Sequence, residues 1–280
     1  MAAYPRPELV ASTDWLAANL RRPDLRVIDV RWRPDGSGRA VYGAGHIPGA
    51  SYLDWVVELS DRDDETGILT LADPERIGAA LGRAGVDANS TIVLYDDVAS
   101  LYAGRTWWSL RASGVESVSI LDGGFRAWTD GAGEIAGAGP VAAGSRFEAE
   151  ARPELRLTTS DVRGLLGSRE VLLVDARATA EFHGFEGNTQ RLGHIPGAVN
   201  LPVAGLTQPG TGLFQPPDRL RDLLLKANVT RSRPIVCYDG SGVAAAKLAF
   251  ILTLAGYDDV AVYDGGWAEW GDRLDLPVER

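Results

Sequence analysis

The apolar residues of this 280-residue chain fall into short continuous runs and into longer stretches with helical spacing. The short runs are rich in β-branched residues and predict buried strands at 25–30, 91–95, 118–121, 171–174, 234–238 and 260–263. The longer stretches predict helices at 12–20, 74–84, 105–113, 217–227 and 243–255. Because strands and helices alternate with short loops, we expect parallel sheets with helices on both faces.

The same pattern occurs twice along the chain. The segment Gly-His-Ile-Pro-Gly-Ala at 45–50 recurs unchanged at 193–198. Further matches pair 29–31 with 175–177, 91–96 with 234–239, and 121–124 with 263–266. A repeat this long is a duplicated domain, since solenoid units are much shorter. We therefore expect an N-terminal domain at 8–135, a Gly- and Ala-rich surface linker at 136–153 and a C-terminal domain at 154–278.

Composition excludes several classes of function. The formal net charge is −10 and no basic stripe is present, so a nucleic-acid partner is not expected. No apolar run is long enough to span a membrane, and the N-terminus lacks a signal peptide pattern, which favours a cytoplasmic protein. The single cysteine, Cys237, excludes an internal disulfide and a multi-cysteine metal site, so no metal or other cofactor is expected.

The doubled Gly-His-Ile-Pro-Gly-Ala segments, the Asp-x-Arg strand ends and the doubled Asp-Gly-Gly-x-x-x-Trp segments resemble the tandem-domain rhodaneses. This family includes thiosulfate and 3-mercaptopyruvate sulfurtransferases. The resemblance implies two rhodanese-like α/β domains, of which the first is inert. It also implies that a cysteine after the central strand of the second domain takes sulfane sulfur from a small anionic donor. The resulting persulfide then passes its sulfur to cyanide or a thiol.

The loop that should carry this cysteine departs from the family pattern. Mercaptopyruvate-type relatives have Cys-Gly-Ser-Gly-Val, and aligning this motif with 240–243 puts Asp239 in the cysteine position. The internal repeat gives the same register, because it pairs Asp239 with Asp96 of the first domain. Gly240, Gly242 and Val243 are then the expected anion cradle, with backbone N–H groups at a helix N-terminus. Asp239 is expected to cap that helix as an ionised carboxylate of depressed pKa, and a nucleophile or base is the alternative.

Three other side chains are candidates for catalysis. Cys237 falls inside the predicted strand, which favours a core residue; a displaced nucleophile in a shifted loop is the alternative. Ser241 and His46 match the serine and histidine of the Ser-His-Asp relay in mercaptopyruvate-type relatives, with Asp35 as a possible third member. The alternatives are a loop hydroxyl for Ser241 and a turn-stabilising hydrogen bond for His46, since His194 repeats His46.

Relatives of this type bind the anionic donor through arginines that follow the second Asp-x-Arg strand. This chain has Glu181 where the mercaptopyruvate-type pattern has arginine, which favours thiosulfate as donor. Arg191 is the candidate for the second arginine, whereas Arg177 is expected to be structural, as Arg31 is in the first domain. Three hypotheses stay open: a scaffold with little or no sulfur transfer, an active sulfurtransferase using Cys237, and a non-catalytic module that binds an anion or a protein.

Overall fold

The computed structural model describes residues 3–63, 65–137 and 144–280. The strands are β1 (Val10–Ala11), β2 (Leu25–Asp29), β3 (Ser51–Tyr52), β4 (Ser60–Arg62), β5 (Leu69–Leu71), β6 (Thr91–Tyr95), β7 (Val118–Leu121), β8 (Arg156–Leu157), β9 (Leu172–Asp175), β10 (Val199–Asn200), β11 (Ile235–Tyr238) and β12 (Val260–Tyr263). The helices are α1 (Thr13–Asn19), α2 (Gly38–Ala44), α3 (Trp55–Glu58), α4 (Pro74–Arg83), α5 (Leu101–Ala112), α6 (Gly124–Asp130), α7 (Thr159–Gly164), α8 (Thr179–Phe182), α9 (Pro217–Lys226), α10 (Val243–Leu254) and α11 (Gly266–Asp272).

Each half of the chain, residues 3–137 and 144–280, is built on one five-stranded parallel sheet. The first has the order β1-β7-β6-β2-β3 and the second β10-β9-β11-β12-β8. Strands β4 and β5 form a separate antiparallel pair in the first half. The predicted fold class, two similar α/β units with mainly parallel sheets, is confirmed.

The two faces of each sheet pack into different apolar layers. In β6, Ile92 and Leu94 face a large core shared by the two halves, whereas Val93 and Tyr95 face a smaller core that includes Leu16 of α1. In the second sheet the corresponding smaller core contains Val236, Tyr238 and the α11 tryptophans. This alternation follows from the pleat of a strand, which points successive side chains to opposite faces. Helices therefore cover both faces of both sheets.

The two halves meet mainly where α5 packs against α10. Gly104 of α5 makes this contact close, since a Cβ there would lie 2.7 Å from the Cα of Lys247. Two further contacts relate the halves symmetrically. The Leu71 N–H of β5 donates to Asp264 of the second half, at 2.6 Å. The Phe214 N–H of the second half donates to Asp122 of the first half, at 2.8 Å.

Part of the predicted linker, 136–153, falls on residues 138–143, which lie outside the described residues. The stretch 144–152 runs along the first half and is held by backbone hydrogen bonds. The Ser145 N–H donates to the Gly82 carbonyl, and the Glu150 N–H donates to that of Ser113. No helix among the described residues is long and apolar enough to cross a membrane.

Candidate functional site

The loop between β11 and α10 lies at the carboxyl end of the central strand of the second sheet. Strand β11 ends at Tyr238, Asp239 follows directly, and α10 begins at Val243. Because ligands of open α/β sheets bind at the carboxyl ends of the strands, this loop is a natural binding site. Gly242, the N-cap residue of α10, has a φ of 77°, a left-handed conformation that favours glycine.

Helix α11 holds two carbonyl groups of this loop by hydrogen bonds. The Trp267 N–H donates to the Asp239 carbonyl at 2.7 Å, and the Ala268 N–H donates to the Gly240 carbonyl at 2.9 Å. By contrast, the N–H groups of Gly240, Gly242 and Val243 have no hydrogen-bond acceptor among the described residues. The loop therefore presents unpaired donors at the N-terminus of a twelve-residue helix, which is a favourable environment for an anion.

The carboxyl group of Asp239 is buried and only partly hydrogen-bonded. Its Oδ2 accepts the Ala244 N–H at 3.2 Å, while its Oδ1 has no partner among the described residues. Asp239 therefore contacts the helix N-terminus from three positions before the N-cap residue Gly242. The expectation of a depressed pKa is wrong: burial raises the pKa of Asp239, and the N–H groups of Ala245, Ser241 and Ala244 only oppose that shift.

The equivalent loop of the first half is filled by its own aspartate. Asp96 Oδ1 accepts the N–H groups of Val98 and Ser100, both at 2.9 Å. Its Oδ2 accepts those of Tyr102 at 2.8 Å and Ala103 at 2.9 Å. In the first loop, four N–H groups thus bind an internal anion, whereas in the second the N–H groups of Gly240, Gly242 and Val243 have no acceptor in the described part of the chain.

Cys237 lies inside β11, two residues before the loop. It pairs with Val174 of β9 and Val262 of β12, and its side chain is fully buried in the shared core. Burial, with a smaller contribution from the charge of Asp239, raises the pKa of the Cys237 thiol. A thiol in this environment stays protonated and is a poor nucleophile.

A residue of the first half completes the surroundings of the loop. Arg105 of α5 donates from Nη1 to the Gly242 carbonyl at 3.2 Å and to Asp264 Oδ1 at 2.6 Å. Both Arg105 and Asp264 are buried. Asp264 also accepts the Leu71 N–H and lies 3.2 Å from the Nε atom of Arg156. Residues of the two halves, Leu71 and Arg156 among them, line a cavity of about 860 Å³ beside this cluster.

Sequence reasoning did not single out Arg105 or Asp264. Asp264 belongs to the repeated Asp-Gly-Gly motif, which is the signal that could have found it. Arg105 lies at the start of a predicted helix and carries no motif. Its contact with the loop depends on how the two halves pack, which the sequence pattern of either half does not reveal.

The residues proposed for a relay are not joined by hydrogen bonds among the described residues. Ser241 is exposed and its side chain has no hydrogen bond to any described residue, and Asp35 accepts from the N–H and hydroxyl of Ser37. His46 is buried, with Nδ1 2.9 Å from the Tyr42 carbonyl oxygen and its ring stacked on Tyr42. His194 makes the same type of contact with Phe182.

The arginine and glutamate offered for donor binding are engaged within the fold. The Arg191 guanidinium donates to the carbonyls of Trp270, Gly271, Arg273 and Leu276, so its donors are not available to a substrate at the loop. Glu181 accepts the Ala178 N–H at the start of α8. Arg177, as expected, pairs with Asp175 in the same way that Arg31 pairs with Asp29. No group of three or more His, Cys, Asp or Glu in the described part of the chain is placed to hold a metal ion.

Comparison with known proteins agrees with this architecture. The family model of the rhodanese-like domain matches the chain twice, at residues 12–130 and 158–273. The chain is 37% identical over 282 residues to a 3-mercaptopyruvate sulfurtransferase of Escherichia coli (strain K12), covering 95% of this chain and 96% of that protein. It is 34% identical over 277 residues to the thiosulfate sulfurtransferase of Rattus norvegicus, covering 94% and 92%.

A solved structure gives the same result at the level of the fold. The crystal structure of SseA from Escherichia coli, a 3-mercaptopyruvate sulfotransferase by its description, superposes with a TM-score of 0.84 and 32% sequence identity. The match covers 92% of this chain and 98% of that chain. The protein is thus a pair of tandem rhodanese-like domains. It belongs to the rhodanese family of sulfurtransferases.

Proposed function

We propose that this chain is a rhodanese-family sulfurtransferase scaffold that transfers little or no sulfane sulfur, because Asp239 takes the place of the family's nucleophilic cysteine. The observation that carries the proposal is the position of Asp239 directly after β11, in a loop where the N–H groups of Gly240, Gly242 and Val243 have no acceptor among the described residues. A persulfide requires a thiolate that attacks the donor and keeps its sulfur. A carboxylate cannot hold sulfane sulfur in this way.

Cys237 does not compensate for the missing thiolate in this proposal. Its side chain points into the shared core, between neighbouring strands, and its thiol pKa is raised by burial. To act as nucleophile it would have to leave the strand, which would break the pairing of Cys237 with Val174 and Val262. We therefore assign Cys237 to the core.

Family membership supports a small anionic sulfur compound as donor and cyanide or a thiol as acceptor, and of the two family donors we favour thiosulfate over 3-mercaptopyruvate. Glu181 supports this order, since it stands where the mercaptopyruvate-type pattern has an arginine that would pair with the donor carboxylate. Arg191 does not contribute to donor binding in this proposal, because backbone carbonyls occupy its guanidinium.

The test is turnover of the unmodified chain. With thiosulfate or 3-mercaptopyruvate as donor and cyanide as acceptor, thiocyanate formation should not exceed that of heat-denatured protein. Cys237→Ser should give the same result. Turnover in the unmodified chain that Cys237→Ser abolishes would establish the shifted-loop enzyme and remove this proposal.

One observation favours a second function, that of an anion-binding module. In the loop before α10, the N–H groups of Gly240, Gly242 and Val243 have no acceptor within the described ranges, whereas Asp96 occupies its own loop. Titration with thiosulfate or sulfate, followed by the NMR shifts of the Gly240 and Gly242 amides, tests it. Asp239→Asn should strengthen binding, because the variant removes the internal anion. Unchanged amide shifts in both proteins would exclude anion binding at the loop.

A further inference from the structure

We propose that Arg105 of the first half is a positioning residue for the loop of the second half, and that its contact with Gly242 directs the loop N–H groups toward a bound anion. The inference rests on the proposed assignment of this loop as the functional site. It adds that the site is shared between the halves, since one of its supports comes from α5.

The contact geometry ties three residues together. Arg105 Nη1 bonds both the Gly242 carbonyl and Asp264 Oδ1, so the buried ion pair with Asp264 fixes the position of the guanidinium. A Cβ at Gly242 would lie 2.7 Å from the Asp264 carbonyl oxygen and 2.9 Å from Arg105 Nη1. Any side chain at 242 would therefore push the arginine away. The last residue of the loop is held in place by a group from the opposite half.

The direction of the loop N–H groups follows from the peptide planes. In a trans peptide the C=O of one residue and the N–H of the next point in opposite directions, and no described peptide bond is cis. The carbonyls of Asp239 and Gly240 are held by α11, and that of Gly242 accepts both the Ala246 N–H of α10, at 3.3 Å, and Arg105 Nη1. The next N–H groups, those of Gly240, Ser241 and Val243, accordingly point away from α11 and Arg105. Arg105 thus acts together with the first hydrogen bond of α10 to set the direction of the Val243 N–H.

The burial of Arg105 lowers the stability of the fold in a way that a fully hydrogen-bonded ion pair would not. Its side chain is buried, yet Nε and Nη2 have no hydrogen-bond partner among the described residues. Stacking of the guanidinium 4.6 Å from the Trp108 ring centroid offsets only part of that cost. Buried polar groups without partners are destabilising, and an apolar pair at such an interface is often as stable. Besides the ion pair with Asp264, the contact with the loop is what an apolar side chain at position 105 could not provide.

The duplicated fold supplies a matched control. Lys247 occupies the place on α10 that Arg105 occupies on α5, by the register of the repeat. Its Nζ donates to Thr207 Oγ1 at 3.4 Å, and the nearby loop of the first half is already filled by Asp96. Lys247 is therefore a buried cation at the same interface that has no open loop to position.

The experiment reads the loop through a thiol placed in it. In Asp239→Cys, the alkylation rate of residue 239 by iodoacetamide is followed against pH by peptide mass spectrometry. Adding Arg105→Met should raise the thiol pKa by about one unit or more, which slows alkylation roughly tenfold below pH 7. Arg105→Lys should restore part of the effect. Lys247→Met should leave the profile unchanged.

Asp264→Asn distinguishes a positioning role of Arg105 from a direct effect of charge on the thiol pKa. Removing a buried anion would lower the thiol pKa if only charge mattered. If Asp264 acts by holding Arg105, the same change should raise the pKa, because the guanidinium then loses its anchor. This variant and Arg105→Lys also keep the inference testable should Arg105→Met fail to fold.

Several results would overturn the inference: an unchanged profile in Arg105→Met, an equal shift in Lys247→Met, or a lowered thiol pKa in Asp264→Asn. An ordinary thiol pKa in Asp239→Cys alone would also remove it, because the loop would then lack directed N–H groups. These outcomes are distinct from failure of the proposed function, which depends on thiocyanate formation by the unmodified chain.

Discussion

Two aspartates at equivalent positions of the repeat have different environments. Asp96 accepts four backbone N–H groups, whereas Asp239 accepts one from Ala244 and its Oδ1 has no partner among the residues that the structure describes. Burial raises the pKa of both carboxyl groups. The carboxylate of Asp239 is therefore the less well stabilised of the two, and its loop has donors to offer to another anion.

Asp239→Cys should convert the loop into a sulfur acceptor. The N–H groups of Gly240 and Val243 and the N-terminus of α10 favour a thiolate at position 239. After treatment with thiosulfate, mass spectrometry should find an addition of roughly 32 Da, one sulfur atom, on the peptide that carries residue 239.

The control for this prediction is the double variant Asp239→Cys with Cys237→Ser, which should load sulfur equally well. Cys237 itself should stay unmodified in every variant, since it is buried in the core. Sulfur loading at Cys237 in the unmodified chain would contradict the alignment of Asp239 with the family cysteine. A folded Asp239→Cys protein that reacts with neither thiosulfate nor thiol reagents would contradict the anion cradle formed by the loop N–H groups.

Lys247 should give the protein a pH-dependent stability. Burial lowers the pKa of Lys247 to about 8 from an ordinary 10.5, although the charge of Asp96 acts against the shift. Between these values the unfolded chain binds more protons than the folded one, so stability rises with pH across that window. Below about pH 8 the penalty is complete and amounts to roughly 3 kcal/mol.

Lys247→Met should therefore raise the free energy of unfolding at pH 7 and flatten its rise between about pH 8 and 10.5. Urea unfolding at several pH values measures both effects. A variant that is less stable at pH 7, with the pH dependence retained, would show that the lysine is stabilised in the folded state by contacts with Asp96 or Thr207.

At the scale of elements, the longer segments were predictable and the short ones were not. Strands β6, β7 and β12 have the predicted bounds, because continuous apolar runs with β-branched residues leave little alternative. The two-residue strands β1, β3, β8 and β10 are too short for periodicity to identify. Helix α5 begins at Leu101 rather than at 105, after Ser100 in a left-handed conformation that composition does not indicate.

The positions of site residues within a sequence motif could be predicted, whereas properties that depend on tertiary contacts could not. The position of Asp239 after the central strand follows from the repeat, and its backbone setting was expected. Its raised pKa was not, because the burial of its carboxyl depends on packing against other elements. Arg191 shows the same limit, since its carbonyl partners come from residues about eighty positions later in the chain.

The two loops should respond oppositely to a neutral side chain. In Asp96→Asn the single amide oxygen cannot accept four N–H groups, and the amide NH₂ would face backbone donors. The expected loss of unfolding free energy is about 2–4 kcal/mol.

Asp239→Asn keeps one acceptor for the Ala244 N–H and removes a buried charge, so the stability of this variant should differ by less than about 1 kcal/mol from that of the unmodified chain. Equal losses in calorimetry would show that the second loop also depends on its carboxylate.

At the scale of the whole molecule, the halves are joined through one apolar core. That core contains residues of both sheets and of the helices α5 and α10. The contacts of Asp122 with Phe214 and of Asp264 with Leu71 link the ends of each sheet to the opposite half. A unit that shares its core in this way should unfold in a single cooperative transition.

Gly104→Ala tests that coupling. A Cβ at position 104 would meet the Lys247 backbone at 2.7 Å, so α5 and α10 must separate and the shared core must loosen. Overpacking of this kind costs about 1–3 kcal/mol, and alanine recovers only part of it through its helix propensity. Calorimetry should show one transition at a lower temperature.

Gly43→Ala in α2 is the matched control. No atom of the described residues lies within 4 Å of the Cβ position of Gly43, so the gain in helix propensity should leave stability equal or higher. Separate transitions for the two halves in Gly104→Ala, or a stability gain like that expected for Gly43→Ala, would show that the α5–α10 contact does not unite the fold.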